Sequence, residues 1–544
     1  MRPSRRLRAV PRRCDHTPTP FASFLALIVV ASLARAAAGA EPPFVASAGS
    51  VAHRRGPARM PHFPSARPTP VARVHFNSGA IREVPATAGD EEGHYAQQLG
   101  DDSVEAIDVP LGTTLWWKTE QGKERRKSGP WTCTRAECAE AVAVRLEPDV
   151  MAGLRYWDGQ GARDQDQVLS VPACHLFPPD SVTLATHFTL SRLNRFERLL
   201  DSWDGPVSAT IYLTDATDIR QLLQHISRPF VSARWRKISL TIVKPDYSAT
   251  QSALLRRLRY PINRLRNLAL EAAASDYTLL VDVDFVPSVG MHTRLRTHAG
   301  RFLRRFAFHD RSSPTWQRTA IVIPTFALAT TSNRSLPLSI AALSELASAD
   351  LPAIHLTDRN AGHGPTLPSL LFRQARRRAH HSGSATPPFL YPLTYEPQWE
   401  PYYLLARASH PLYDERFTDQ GGDKQAHALV LNVLGFDFRV ATDVAVVHPP
   451  KTDLQKEAWP SARLVDSNST VAEHDRMLEV NQESADHFNL AAQKDEARFR
   501  YFQDLLPEVT RAWGWNARWP RASGARFVGE RSFGRGKATG AFGL

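Results

Sequence analysis

Asp282 and Asp284 close the apolar run Tyr277-Thr278-Leu279-Leu280-Val281, and their two-residue spacing turns both carboxylates to one side of an extended chain. Two carboxylates converging at the carboxyl end of a buried strand suit a hard divalent cation, which takes oxygen ligands and carries a diphosphate in turn. Pro287 is expected to stop the pairing of this strand. The plainer alternative is a strand that finishes in a solvated acidic turn, and the flanking sequence decides against it. Upstream, Asn263, Arg266 and Asn267 stand at i, i+3 and i+4 of a helical stretch and share one face. Such a trio in isolation is ordinarily a solvated polar face. Here the helix feeds directly into the carboxylate strand, so the three polar groups are within reach of a nucleotide in the same crevice.

A crevice of that kind needs a sheet to hold it. SVTLATHF (181–188), VSATIYLT (207–214) and KISLTIVK (237–244) have the texture of buried strands. Between them, LSRLNRFERLLDSW (190–203) and residues 218–226 read as helices. YPINRLRNLALEAAA follows, with Pro261 suited to a first helical turn and Ile262, Leu265, Ala269 and Ala272 as its buried stripe. Strands alternating with helices argue for an α/β fold with a doubly wound sheet, whose ligands bind at the carboxyl ends of its strands. Further on, TAIVIPTFAL (319–328) and FRVATDVAVVHPP (438–450) read as one strand each, the latter ending in His448. Glu400 precedes the apolar strand after Tyr402, and Asp423 opens a helix after the Gly421-Gly422 turn.

The chain has 544 residues, 42 % apolar and 22 % charged, with a mean hydropathy of −0.33. That is an ordinary globular composition, long enough for a large domain with appendages. A formal charge of +12 raises the question of nucleic acid, but the arginines are scattered and accompany no nucleic-acid-binding pattern. We exclude that partner; an anionic sugar or a lipid headgroup fits the charge as well. Residues 1–40 read as a signal anchor or signal peptide, with arginines before the apolar run 21–34 and an Ala38-Gly39-Ala40 cleavage pattern. Residues 41–109 are Pro-, Ala-, Arg- and Gly-rich and are expected to be a disordered stem, with a small β-rich cap over 110–178. The main domain is expected over 179–519, and 520–544 as a disordered tail. An oxidising lumen would suit a local Cys133–Cys138 bridge, with Cys174 left over or exchanging partners. It would also give meaning to the glycosylation patterns at Asn333 and Asn468.

VTLATHFTLSRLNRF, WDGPVSATIYLT, YPINRLRNLAL, YTLLVDVDFVPS, AIVIPTF, GHGPT (362–366) and EPYYLLAR…YDERF…GGDK…GFDFRVATDVAVVH stand in collinear order from Val182 to His448. In this order they resemble glycosyltransferase family 49, the LARGE-type and β-1,4-glucuronyltransferase group that builds glycans on dystroglycan. The resemblance implies a GT-A-like fold with a mixed sheet, a UDP-sugar donor, a manganese-type cation and a glycan or glycoprotein acceptor. It also implies a single-pass type II Golgi protein held in the membrane by its N-terminal segment; cleavage of that segment would leave it luminal or secreted. By position, Asp282 and Asp284 become the metal pair, His448 a third metal ligand, and Asn263, Arg266 and Asn267 part of the donor-side motif. Two departures stand out. Pro324-Thr325-Phe326-Ala327 replaces a Pro-Ala-Phe-Glu pattern, and Asp419-Gln420-Gly421 replaces a Gly-aromatic-Gly turn.

The resemblance further implies inversion at the anomeric centre, which calls for a carboxylate base on the acceptor hydroxyl. Glu400 and Asp423 are the candidates; their structural alternatives are an ion-pair partner and a helix cap. Glucuronic acid is the first expectation for the sugar, its carboxylate met by Arg266 or an arginine of the 294–305 stretch. A different class stays open: a catalytically silent luminal protein that keeps the fold and reads glycans, favoured by the missing carboxylate at Ala327.

Overall fold

The computed structural model describes residues 28–29, 71–85, 97–99, 104–134, 141–159, 165–173, 177–235, 237–303, 318–328, 336, 339–348, 354–356, 363, 366–380, 389–396, 399–419, 421–449 and 496–513. Its largest sheet has ten strands among these residues. Val182–Thr189, Val207–Tyr212, Ile238–Lys244 and Tyr277–Leu280 are buried along their whole lengths, as strands covered on both faces must be. They pair in parallel, with Val182–Thr189 between Val207–Tyr212 and Tyr277–Leu280. Beyond Tyr277–Leu280 the sheet becomes mixed. Tyr402–Ala406 runs antiparallel to it, followed by Thr319–Ile323, Asp437–Ala441 and Leu390–Leu393. At the other end Gln167–Val171 adds antiparallel and carries Ile28–Val29 at the edge.

Helices cover both faces. On one, Phe196 and Leu199 of Leu193–Ser202, and Ile219 and Leu222 of Ala216–Ile226, pack on Leu184, Ile211 and Leu240. On the other, Ile262–Glu271 sets Leu265 over Tyr212 and Val243, and Ala269 over Ala185 and Leu280. The α/β class and the mixed sheet expected from sequence are present.

Several boundaries differ from the sequence reading, each for a local reason. The carboxylate strand ends at Leu280, and Asp282 lies in a turn closed by the Phe285 amide donating to the Asp282 carbonyl at 3.1 Å. Pro287 does not stop pairing: Val286–Pro287 joins a second, four-stranded sheet as its edge, where a missing N–H leaves no gap. TAIVIPTFAL splits at Pro324 into Thr319–Ile323 in the large sheet and Thr325–Leu328 in the small one. Proline cannot continue the ladder as a donor, and its carbonyl accepts from the Val446 amide at 3.0 Å instead. FRVATDVAVVHPP splits in the same way into Asp437–Ala441 and Val446–His448.

Residues 71–109, expected as disordered stem, include the strands Val71–Phe76, Ile81–Pro85 and Val104–Val109. Ala72, Val74 and Phe76 alternate with outward residues, a period of two that the Pro- and Arg-rich flanks had hidden. These strands form one four-stranded sheet with Trp131–Thr134; Gln97–Gln98, Ala141–Pro148, Thr113–Thr119 and Glu124–Ser128 form another. Val74, Ile107, Leu115, Trp117, Val144 and Leu146 share a single core between them. The expected cap therefore begins earlier, while its last strand, Gln167–Val171, belongs to the large sheet.

Among the described residues no helix is long and apolar enough to cross a membrane. Apart from Ile28 and Val29, the expected anchor lies outside them, as do Cys138, Cys174, both glycosylation patterns and the 520–544 tail.

Candidate active site

The site gathers where strands of the large sheet end. Asp282 follows Tyr277–Leu280, and Arg192 and Arg195 follow Val182–Thr189 in the next strand over. Asp282 Oδ1 accepts from Arg266 Nη2 at 3.1 Å and faces His187 Nε2 at 3.7 Å. Its Oδ2 accepts from the Tyr402 hydroxyl at 2.6 Å and from Lys424 Nζ at 2.9 Å. Burial alone would raise this carboxyl, yet Lys424 and Arg266 hold it well below the usual carboxylate range. The same pairing, against the cost of burial, holds the Lys424 ammonium well above its usual range. Asp284 turns to other partners: Arg192 Nη1 lies 2.7 Å from one oxygen and Arg195 Nη1 2.7 Å from the other. Although spaced by two residues, the carboxylates sit on a turn and serve two separate sets of cations.

The polar face of Ile262–Glu271 is as buried as its apolar one. Arg266 is fully buried and donates to Asp282, Asn263 Oδ1 and Asp423 Oδ2. Asn263 donates to the Asp414 carbonyl at 2.7 Å. Asn267 donates to the Tyr413 carbonyl and to Glu415, and accepts from the Tyr413 amide. Of the three expected donor-side residues, Arg266 thus reaches Asp282 of the carboxylate pair, while both asparagines clamp the 413–415 loop.

Asp423 begins the helix Asp423–Val433, and its carboxyl, despite burial, is lowered by Arg266 and Lys424. The turn before it demands glycine: Gly422 has φ +73°, and a Cβ there would meet the Phe417 ring at 3.0 Å. Asp419 adopts φ +61° within the same turn and exchanges hydrogen bonds with Tyr260, at 2.7 Å through its amide and 2.8 Å through Oδ1. That left-handed conformation is one an aspartate tolerates where the family favours glycine. Glu400 Oε1 accepts from Gln425, and its Oε2 lies 3.7 Å from Lys424. With 28 % of its side chain exposed against 7 % for Asp423, Glu400 is the more open candidate base.

His448 ends its strand beside Ala327, its Cα partner in the small sheet, and meets the Phe285 ring edge-on at 5.1 Å. Phe285 in turn packs edge-on against Tyr402 at 5.2 Å, so aromatic contact links His448 to the Asp282 cluster. His363 tilts over Tyr402 at 5.8 Å; burial, with Lys424 nearby, pushes its imidazole down to about 3.

Lys424, Arg192, Arg195, Tyr402 and His363 were not singled out as site residues from sequence. All five lie inside the quoted family segments, and the two arginines also follow a parallel strand's carboxyl end, where ligands of such sheets bind. Of the 294–305 arginines, the described ones are occupied elsewhere: Arg294 on the Val289 and Asp443 carbonyls, Arg296 on Asp180, Arg301 over Phe389; Arg304 and Arg305 lie outside the described residues.

Among the described residues no three His, Cys, Asp or Glu side chains are gathered as a metal-holding group. The donor chemistry of the carboxylate pair nevertheless fits a hard cation. Each Asp284 oxygen accepts one arginine N–H and so keeps acceptor capacity. An imidazole is an accepted further ligand for such a metal. Around the pair, the charge of Asp282, Asp284, Asp423 and Glu400 is met by Arg192, Arg195, Arg266 and Lys424.

The fold and site define an α/β protein with a cluster of paired carboxylates and cations at the strand ends of its large sheet. The chain belongs to the family described as glycosyl-transferase for dystroglycan, whose model matches residues 181–233 and 235–482. It is similar to the xylosyl- and glucuronyltransferase LARGE2 of Rattus norvegicus, 28 % identical over 61 % of this chain and 42 % of that protein. It is likewise similar to LARGE1 of Danio rerio, 30 % identical over 49 % of this chain and 31 % of that protein. The chain therefore spans less than half the length of these curated relatives. Among solved structures, S. aureus TarS 1-349 in complex with UDP-GlcNAc is 13 % identical with a TM-score of 0.28, covering 61 % of this chain and 83 % of that one. That overlap is too loose to assign a ligand.

Proposed function

We propose that the protein is a metal-dependent, inverting glycosyltransferase of the GT-A type. It moves a sugar, glucuronic acid foremost, from a UDP-sugar to a glycan hydroxyl in the secretory pathway. One observation carries the reading: Asp282 and Asp284 stand at the strand ends of the large sheet, ringed by Arg192, Arg195, Arg266 and Lys424. Asp282, Asp284 and His448 would hold the divalent cation, which supplies Lewis-acid neutralisation of the charge on the departing UDP. Arg192, Arg195 and Lys424 supply positive charge for the donor's diphosphate. Arg266, fully buried, keeps Asp282 ionised and fixes it relative to Asp423. Tyr402 orients Asp282 from its other oxygen.

Glu400 suits the base better than Asp423. A base must approach the acceptor proton, and Asp423 is buried against Arg266 with its carboxyl lowered, which weakens it as a proton acceptor. The test is UDP release by purified protein with manganese, screened over a panel of UDP-sugars, with and without glycan acceptors. Cation-dependent turnover of one donor supports the proposal. Glycan binding without turnover of any donor would favour the silent glycan-binding alternative.

A further inference from the structure

Lys424 stands in an electrostatically awkward place. It lies in the first turn of Asp423–Val433, where the helix dipole favours anions over cations, and the Gly422 cap offers no side chain to the first amides. Asp282 offsets this, with Lys424 Nζ 2.9 Å from Oδ2, 3.2 Å from the Tyr402 hydroxyl and 3.7 Å from Glu400 Oε2. The two cations on Asp282 differ in freedom. The Arg266 guanidinium is fully buried and fixed by Asn263, Asp423 and Asp282 together. The Lys424 ammonium rides on a flexible four-carbon stem at the partly open side of the cluster, its side chain 13 % exposed. A metal ion taking Asp282 would contend with Lys424 for the same oxygen, and a diphosphate arriving at this helix end would offer Lys424 a better-placed anion.

We propose that Lys424 is a tethered counter-ion. It competes with the divalent cation for Asp282 while the nucleotide is absent, and it transfers to the donor diphosphate when the cation takes Asp282. Cation and nucleotide then bind as a pair: each removes the obstacle to the other. The inference rests on the donor-site reading above and adds to it the order and coupling of binding. It involves no bond making; one ionic partner of Lys424 replaces another.

The experiment is manganese binding followed by the free-ion electron paramagnetic resonance signal, with and without UDP. It uses the full chain as wild type, Lys424→Met and Lys424→Gln, with melting curves to verify folding. Lys424→Gln keeps a hydrogen-bonding group beside Asp282 and Tyr402 and serves if the methionine variant fails to fold. Without UDP, both variants should bind manganese about tenfold more tightly than wild type, because a like charge a few ångströms from the ion has gone. UDP should tighten manganese binding in wild type and do so much less in the variants. Superimposable manganese curves for wild type and variants, with UDP and without it, overturn the role of Lys424. A wild type that takes up neither manganese nor UDP overturns the donor-site reading itself.

Discussion

Arg266 joins Asp282 to Asp423: one guanidinium nitrogen lies 3.1 Å from Asp282 Oδ1, and another contacts Asp423 Oδ2 in a fully buried position. This one side chain ties the turn after a central strand to the start of a helix far along the chain. Removing it takes from Asp423 its buried ion-pair partner and from Asp282 one of its two cations, and the arginine helps keep both carboxyls below their ordinary range against burial. Arg266→Met should therefore cost about 3–5 kcal/mol of stability, the usual penalty for breaking a buried ion pair from one side. Urea unfolding measures it, and a loss under about 1 kcal/mol would show that the carboxylates find other partners.

Asn267 makes three hydrogen bonds to the 413–415 loop. Asn267→Ala should destabilise the protein by about 2–4 kcal/mol, since buried amide groups on the loop lose their partners. Affinity for UDP should change little in the folded fraction. A large drop in UDP affinity at unchanged stability would return Asn267 to the donor site.

His427 lies between the Tyr403 hydroxyl and the Pro411 carbonyl, with its ring stacked 3.8 Å from that of Tyr413. Burial pushes its imidazole down to about 3; the Pro411 carbonyl opposes this and Arg266 adds to it. The unfolded imidazole protonates near 6.5, so the unfolded state binds more protons between those limits. Stability from this group is complete above about 6.5 and is lost as pH falls, by about 1.4 kcal/mol per unit. Between pH 7 and pH 5, wild type should lose about 2 kcal/mol more than His427→Gln in paired urea titrations. Equal losses would mean that His427 already carries a proton when folded.

The alternation of strands and helices in the domain was legible because its central strands are short, largely apolar, β-rich runs and its helices carry clear stripes. Asp282 was legible for the same reason: Tyr277–Leu280 points at it. The polar face of Ile262–Glu271 was visible as a pattern, but its destination was not. Whether Asn263 and Asn267 meet a ligand or a loop depends on residues 413–415, far away in sequence. The counter-ions were hidden for a related reason. Arg192 and Arg195 look like surface residues of an amphipathic helix until the parallel pairing of Val182–Thr189 with Tyr277–Leu280 brings them to Asp284. The strands in 71–109 were missed because Pro and Arg around them suggested a linker, although VARVHF already alternates.

Glu400 and Asp423 separate into different roles. Glu400→Gln should lower kcat by about 10²- to 10⁴-fold with little change in melting temperature, as expected for loss of a general base. Asp423→Asn should instead lower the melting temperature, because Arg266 loses a buried partner. A reversal of the two phenotypes would reassign the base.

The most direct measurement of the central claim is UDP binding to the purified chain in the presence of manganese, by calorimetry, for wild type and Asp284→Asn. Asp284 is held by Arg192 and Arg195, so the substitution leaves both guanidiniums at the site and removes a proposed metal ligand. Wild type should bind UDP only with the cation present, and Asp284→Asn, once shown to be folded, should lose at least about a hundredfold in that cation-dependent affinity, about 2.7 kcal/mol. Undiminished, cation-dependent UDP binding by the folded variant would contradict the claim that the donor is held at this carboxylate pair.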